Sequence, residues 1–116
     1  MFFNDLDQTG WRLSLQEPPK RIVSLVPSQT ELLHNLGVMD YLVGRTKFGV
    51  HPNEIQTIPV VGGTKQINRE RLLKIKPDFV IGNHEENTKE DIEWIRESFP
   101  VWLSKVNRLK DAFSMI

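Results

Sequence analysis

The residues of this 116-residue chain that are best suited to binding chemistry collect in four short stretches. These stretches are residues 27–28, 46–52, 62–67 and 83–87. Their candidate ligand-contacting side chains are Lys47, Phe48, His51, Thr64, Lys65, Asn83, His84, Glu85 and Glu86. Imidazole and carboxylate groups bind metal ions, whereas ammonium and amide groups bind anionic or polar ligands. The residue types therefore indicate a site for a polar or metal-containing ligand.

Two histidines, His51 and His84, are the candidates for direct metal coordination. Glu85 and Glu86 would join them if the loop at 46–52, which holds His51, lies close to the loop at 83–87. A zinc or manganese ion would need both imidazole nitrogens at about 2.0–2.1 Å. No two histidines have the local spacing of a metal-binding motif, and His34 lies beside the apolar face of a predicted helix. The pattern favours a site without a protein-bound metal, and a Zn or Mn receptor stays as an alternative.

The stretch Gly62-Gly63-Thr64-Lys65 has the glycine amides and the lysine of a phosphate cradle. It lacks both the G-x-x-x-x-G-K-[ST] and the G-x-G-x-x-G spacings, which favours a simple turn with a solvated lysine. A nucleotide-binding enzyme on a Rossmann-like fold, which would use Gly62 to Lys65 for a phosphate, stays as the alternative from another functional class. There is no G-x-S-x-G motif and no cysteine nucleophile, so hydrolase chemistry has no anchor in this sequence. We expect a binding module rather than an enzyme.

Composition excludes several other classes. Fifteen basic and fifteen acidic residues balance, which argues against a nucleic-acid partner. The absence of cysteine excludes a disulfide scaffold and a thiolate metal site. The N-terminus lacks the basic and apolar regions of a signal peptide, and no apolar run approaches the roughly 20 residues of a membrane span.

Short β-rich runs alternate with helical segments after an N-terminal hairpin. The predicted strands are 21–26, 41–45, 58–61, 78–82 and 101–106, and the hairpin occupies 2–15 within a leading segment, 1–17. Ser28 to Glu31 fits a capping box, Asn68 caps a second helix through Ile75, and Asn87 or Thr88 caps a third through Ser98. The apolar faces are predicted to hold Leu32, Leu33 and Leu36, then Leu72, Leu73 and Ile75, then Ile92, Ile95 and Phe99. Gly37 and Lys76-Pro77 are the predicted stops of the first two helices.

This alternation predicts an α/β fold: a Rossmann-like open parallel sheet with helices on both faces and an N-terminal edge hairpin. Ligands bind outside the carboxyl ends of such strands, which is where the four polar stretches fall. The strand at 78–82 thus delivers residues 83–87 to the binding rim. A last helix, opened by Asn107, is still in amphipathic period at Ile116, so we expect the sequence to be a piece of a longer protein.

Three stretches together resemble a known family: "PPKRIVSLVPSQTELLHNLG", "VGRTKFGVHP" and "VVGGTKQINRERLLKIKPDFVIG". They are similar to the N-terminal lobe of class III periplasmic substrate-binding proteins, which have a helical backbone. The similarity runs from about Pro18 to Val106. Its most specific parts are "RIVSLVPSQTELL" and "INRERLLKIKPDFVI". These receptors serve ABC importers of cobalamin, haem and ferric siderophores.

The resemblance implies one lobe of a two-lobed receptor. Residues 18–106 would form the N-terminal ligand-binding lobe, and 107–116 would begin a helix leading to the interlobe backbone helix. The C-terminal lobe would be missing, leaving a face that could pair with another copy. The resemblance also implies a periplasmic or cell-envelope location, although a cytoplasmic relative that handles corrinoids or metals stays as an alternative.

The resemblance further implies two contact regions. A glutamate on the outer face of each lobe docks on arginines of the permease, and Glu70 in "NRERL" matches that position. The ligand-binding positions carried over are Phe48, His51, Thr64, Lys65, Asn83, His84 and Glu85. Phe48 is the only aromatic residue where cobalamin receptors have several. The charged rim suits an anionic ligand or a metal chelate at least as well as a corrin ring, with no intrinsic cofactor, and a histidine could coordinate the chelated metal.

Overall fold

A four-stranded parallel sheet lies at the centre of the computed structural model, which describes residues 3–37, 39–46 and 57–104. The strands are β1 Phe3–Leu6, β2 Arg12–Leu15, β3 Ile22–Ser24, β4 Leu42–Arg45, β5 Gly62–Gly63, β6 Gln66–Ile67, β7 Phe79–Asn83 and β8 Val101–Ser104. The helices are α1 Pro27–Asn35, α2 Arg69–Ile75 and α3 Lys89–Ser98, with a 3₁₀ turn at Met39–Tyr41. The parallel sheet has the order β4-β3-β7-β8, which confirms the predicted fold class.

The sheet separates two apolar clusters because successive side chains of a strand point to opposite faces. On one face, Ile22, Phe79 and Trp102 pack with Leu13 and Leu15 of the hairpin and with Leu33 of α1. On the other face, Val23, Val80 and Val101 pack with Leu72 of α2 and with Ile92 and Ile95 of α3. Helices therefore cover both faces, as predicted.

Two of the predicted strands differ in the structure: one is shorter, and one is absent from the sheet. The run 21–26 is a strand only at Ile22–Ser24, and the predicted strand 58–61 is wrong. Val60 forms only an isolated parallel bridge with Arg45. Hydrogen bonds join Arg45 N to Pro59 O and Val61 N to Arg45 O. Gly62 then adopts φ +117°, which turns the chain away before a ladder can form.

The N-terminal hairpin is confirmed, but β1 and β2 form a separate antiparallel sheet. Its turn is built around the Asp7 carboxylate, which accepts hydrogen bonds from Thr9 N at 2.8 Å and Trp11 N at 3.0 Å. The same carboxylate accepts one from Leu103 N at 3.0 Å, while Gln8 N donates to Leu103 O at 3.2 Å. The hairpin thus contacts the outer edge of β8 without adding a strand to the sheet.

The helix predictions hold for the caps of α2 and α3 and fail for α1. Asn68 accepts from Arg71 N, and Thr88 accepts from Asp91 N, as N-caps do. In α1 the capping-box prediction is wrong, because the helix begins at Pro27 and Thr30 N already donates to Val26 O. Proline suits the first helical position, which places Ser28 inside the helix.

Two leucines predicted to be buried are instead about half exposed. Leu36 is 46% exposed because α1 ends at Asn35, and the chain then turns at Gly37, as predicted. Leu73 is 49% exposed because Leu72 and Ile75 already take the inward face of the short α2. None of the helices in the described part of the chain has the length and apolar character needed to cross a bilayer. The final predicted helix, opened by Asn107, lies outside the described residues.

Candidate functional site

The candidate site lies at the carboxyl ends of β3, β7 and β8. Two segments form most of it: the rim loop, residues 83–87, which follows β7, and the rim hairpin, residues 62–67, which contains β5 and β6. Both segments are predicted from the sequence to lie at the carboxyl ends of the strands, and in the structure they contact each other. Lys47, Phe48 and His51, also predicted for this site, lie outside the described residues.

Asn83 organises the rim loop. Its Oδ1 accepts hydrogen bonds from the backbone nitrogens of Glu85 at 2.8 Å and Glu86 at 3.2 Å. Its Nδ2 donates to Ser104 Oγ at 3.3 Å. Both ends of the Asn83 amide are therefore used within the protein, so this predicted ligand-binding residue supports the loop from below.

Asn87 joins the rim loop to its neighbours. The buried side chain donates through Nδ2 to Leu25 O at 3.1 Å and Thr64 O at 3.0 Å, and Oδ1 accepts from Asn83 N at 2.9 Å. A Cβ on Gly82 would lie only 2.8 Å from that Oδ1, so glycine is needed beside it. The sequence pattern indicates only a helix cap at Asn87, because the partners of its side chain are distant in the chain.

The rim hairpin brings Thr64 and Lys65 to the rim loop. Nζ of Lys65 donates to the backbone oxygen of Glu85 at 2.9 Å. Gly62 and Gly63 pair with Ile67 and Gln66, so the glycine pair forms a tight hairpin as the turn prediction requires. A Cβ on Gly62 would lie 2.5 Å from Gln66 O, which explains the glycine there.

Three polar side chains are left exposed at the top of the rim loop: His84, Glu85 and Glu86. Within the described part of the chain their side chains form no hydrogen bond and no ion pair. Their backbone is nevertheless held, since His84 N donates to Ser104 O at 2.8 Å. The rim therefore presents exposed imidazole and carboxylate groups on a backbone held by hydrogen bonds.

Two buried polar residues beneath the rim were not identified from the sequence. Gln29 of α1 donates through Nε2 to Gly82 O at 2.8 Å and to Ser104 Oγ at 3.2 Å. Among the described residues, neither Oε1 of Gln29 nor Oγ1 of Thr46, at the end of β4, has a hydrogen-bond partner, and both atoms are buried. Helix periodicity gives no signal for such a residue, because its partners lie on other strands.

The described residues contain no group of side chains that could coordinate a metal ion directly. Among residues 3–37, 39–46 and 57–104, no three His, Asp or Glu side chains are placed to hold one ion. His84 belongs to the rim loop, and its proposed partner His51 lies outside those ranges.

Glu70 lies in the first turn of α2, three residues after the rim hairpin ends at Ile67. Its side chain is 82% exposed, and its only ion pair among the described residues is with Lys74, at 3.9 Å. The neighbouring Arg69 is held instead by Asp91 and Trp94 of α3. Glu70 is thus presented outwards from a helix whose start is fixed, where the dipole also favours a carboxylate.

Comparison with known proteins gives consistent results. The profile of a family described as periplasmic binding protein matches residues 22–115. An ABC transporter substrate-binding lipoprotein of Bacillus subtilis is 33% identical over 78% of the chain, and a vitamin B12-binding protein of Vibrio vulnificus is 30% identical over 85%. A solved periplasmic heme-binding protein from Pseudomonas aeruginosa superposes with a TM-score of 0.71 at 28% identity, over 84% of the chain. The chain spans 28%, 37% and 36% of those three proteins, respectively.

Proposed function

The chain belongs to the periplasmic binding protein family, and on this premise we propose that it is the ligand-capturing lobe of an ABC importer's substrate-binding component. The lobe binds its ligand at the rim and performs no covalent chemistry. One observation carries the proposal: Asn83 and Asn87 use their amides to fix the rim backbone, while His84, Glu85 and Glu86 stay exposed above it. A preformed rim with a few free polar groups is suited to binding a small ligand.

The ligand class that fits best is a metal chelate: a corrinoid, haem or a ferric siderophore. Similarity to a vitamin B12-binding protein and to a heme-binding protein supports this class. The exposed groups of the rim are an imidazole, two carboxylates and the Lys65 ammonium, which also donates to Glu85 O. The imidazole is suited to an open coordination position of a chelated metal, and the charged groups are suited to the polar periphery of such a ligand.

Delivery to a permease is the second half of the proposed function. The exposed carboxylate of Glu70 is the contact that we assign to it, through arginines on the permease surface. Charge complementarity of this kind guides association and selects the partner. The similarity to a substrate-binding lipoprotein and to a periplasmic protein supports a cell-envelope location.

The test is a thermal-shift titration of the full-length protein. Cobalamin, cobinamide, haem, ferric siderophores, Zn²⁺ and Mn²⁺ are added separately. One chelate is expected to stabilise the protein selectively, by about 2.7 kcal/mol when it is present at about 100 times its Kd. Stabilisation by a bare metal ion alone would favour the direct metal receptor, and the absence of any shift would remove the uptake proposal.

A further inference from the structure

Asp91, in the first turn of α3, contacts two segments outside its own helix. Its Oδ2 accepts a hydrogen bond from the backbone nitrogen of Ile67 at 3.1 Å. Its Oδ1 lies 3.7 Å from Nη2 of Arg69. The residue is only 8% exposed, and burial of a carboxylate is unfavourable unless it is paired. The contacts therefore link the end of the rim hairpin and the start of α2 to α3.

Arg69 is held from a second side as well. Its Cζ lies 5.2 Å from the ring centroid of Trp94, which in turn makes an edge-to-face contact with Phe99. A guanidinium placed between a carboxylate and an indole ring has less freedom than a solvated one. The first turn of α2 is consequently fixed against α3 at the residue next to Glu70.

The rim hairpin and Glu70 belong to one continuous segment, residues 60–75. Lys65 lies at its rim end, and Asn68 N donates to Val61 O at 2.7 Å where the hairpin meets α2. Glu70 follows Ile67 by three residues, which is at most about 10 Å of extended chain. A displacement at Ile67 would therefore be transmitted to both ends of the segment.

From this geometry we propose that Asp91 is a positioning residue, which keeps Lys65 at the ligand rim and Glu70 at the docking surface in one fixed spatial relationship. The proposal rests on the ligand-binding and docking roles proposed above. Loss of Asp91 loosens residues 67–72, where its two contacts lie. It leaves the rim loop in place, since Asn83 and Asn87 hold that loop. Docking is therefore weakened more than ligand binding.

The experiment compares the full-length protein with three variants. Asp91→Ala removes both contacts, whereas Asp91→Asn keeps an acceptor for Ile67 N and loses the charge opposite Arg69. Ile95→Val is the matched control, because it removes a buried methyl group from the same helix and leaves the Asp91 carboxylate and its two contacts in place. Hydrogen exchange of the amides of residues 66–75 reports local order, and binding to proteoliposomes that contain the importer reports docking.

Asp91→Ala is expected to speed exchange at residues 67–72 and to weaken docking, each by about tenfold, since a charge-assisted contact is lost. For Asp91→Asn, the exchange rates and the docking affinity should fall between those of Asp91→Ala and of the natural protein. Ile95→Val should change them only as far as its lower overall stability requires. The proposal is overturned if Asp91→Ala exchanges like Ile95→Val, or if docking persists although the segment is loosened.

A fourth variant separates this proposal from the docking role on which it rests. Glu70→Gln removes the docking charge and leaves Asp91 and its partners untouched. If Glu70→Gln docks like the natural protein, the docking role fails. The exchange measurement alone then decides whether Asp91 fixes the segment.

Discussion

Nδ2 of Asn87 lies 3.0 Å from the backbone oxygen of Thr64 and 3.1 Å from that of Leu25. One buried amide thereby joins the rim loop to the rim hairpin and to the end of β3. Thr64 and Asn87 are 23 residues apart, so no local preference brings them together. The exposed side chains of the rim are consequently presented on a backbone that is fixed from beneath.

Replacing Asn87 by alanine should destabilise this rim. The substitution leaves two carbonyl oxygens and Asn83 N without their partner, and we expect the free energy of unfolding to fall by about 2–3 kcal/mol. Urea denaturation of the full-length protein measures the change. Asn35→Ala, at the exposed end of α1, is the control. Equal effects of the two variants would mean that water replaces the buried amide.

Gly62→Ala tests the close approach within the rim hairpin. Gly62 and Gly10 both have positive φ, at +117° and +86°, so alanine is strained at either position. Only at Gly62 would the new Cβ meet backbone atoms, at 2.5 Å from Gln66 O and 2.8 Å from Asn68 N. We expect Gly62→Ala to lose about 1–3 kcal/mol more than Gly10→Ala in the same denaturation experiment. Similar losses would show that the hairpin opens to accept a side chain.

Lys65→Gln should alter ligand affinity rather than stability. The side chain is exposed and makes a hydrogen bond with Glu85 O, so little folding energy depends on its charge. Affinity for an anionic chelate such as haem should fall roughly threefold to fivefold, as expected for one exposed charge pair. Lys20→Gln serves as the control in the same titration, because Lys20 precedes the amino end of β3 and the rim lies at the carboxyl end. A ligand that binds both variants equally would not lie against the rim hairpin.

Asp78→Ala should alter stability rather than ligand affinity. Its carboxylate accepts hydrogen bonds from Lys20 N and Arg21 N, both at 2.9 Å, at the end of the sheet opposite the rim. Loss of both bonds should lower the free energy of unfolding by about 1–3 kcal/mol and leave ligand affinity unchanged. Denaturation and ligand titration are compared with those of Asp40→Ala, an exposed acid in the 3₁₀ turn. A change in affinity would link the two ends of the sheet.

The features that the sequence predicts well depend on local chemistry. Asn68 and Thr88 cap the helices that they were expected to cap, because a cap needs only a side chain and the next three residues. The strand at 79–83 was predicted at 78–82, one residue early. Its apolar run could be located because Pro77 and the polar rim loop bound it. The parallel order follows from the short connections between alternating strands and helices.

The features that the sequence predicts poorly depend on tertiary contacts. The burial of Leu73 could not be judged because the seven-residue α2 has room on its inward face only for Leu72 and Ile75. The roles of Asn87 and Gln29 were missed because their partners lie in distant segments of the chain. Of the predicted ligand-binding residues, Thr64, Lys65, Asn83, His84 and Glu85 lie in the two converging segments, and their contact with a ligand stays a prediction.

The contact of Asp7 with Leu103 has a consequence for behaviour at high concentration. An outer strand with free N–H and C=O groups is a template on which other chains add in register, and such addition leads to aggregates and fibrils. At Leu103 the Asp7 carboxylate takes the N–H, and Gln8 N takes the C=O. The N-terminal turn thus occupies the pairing groups of the outer strand at Leu103, and a chain that lost these two contacts would leave that position open to pairing with another chain.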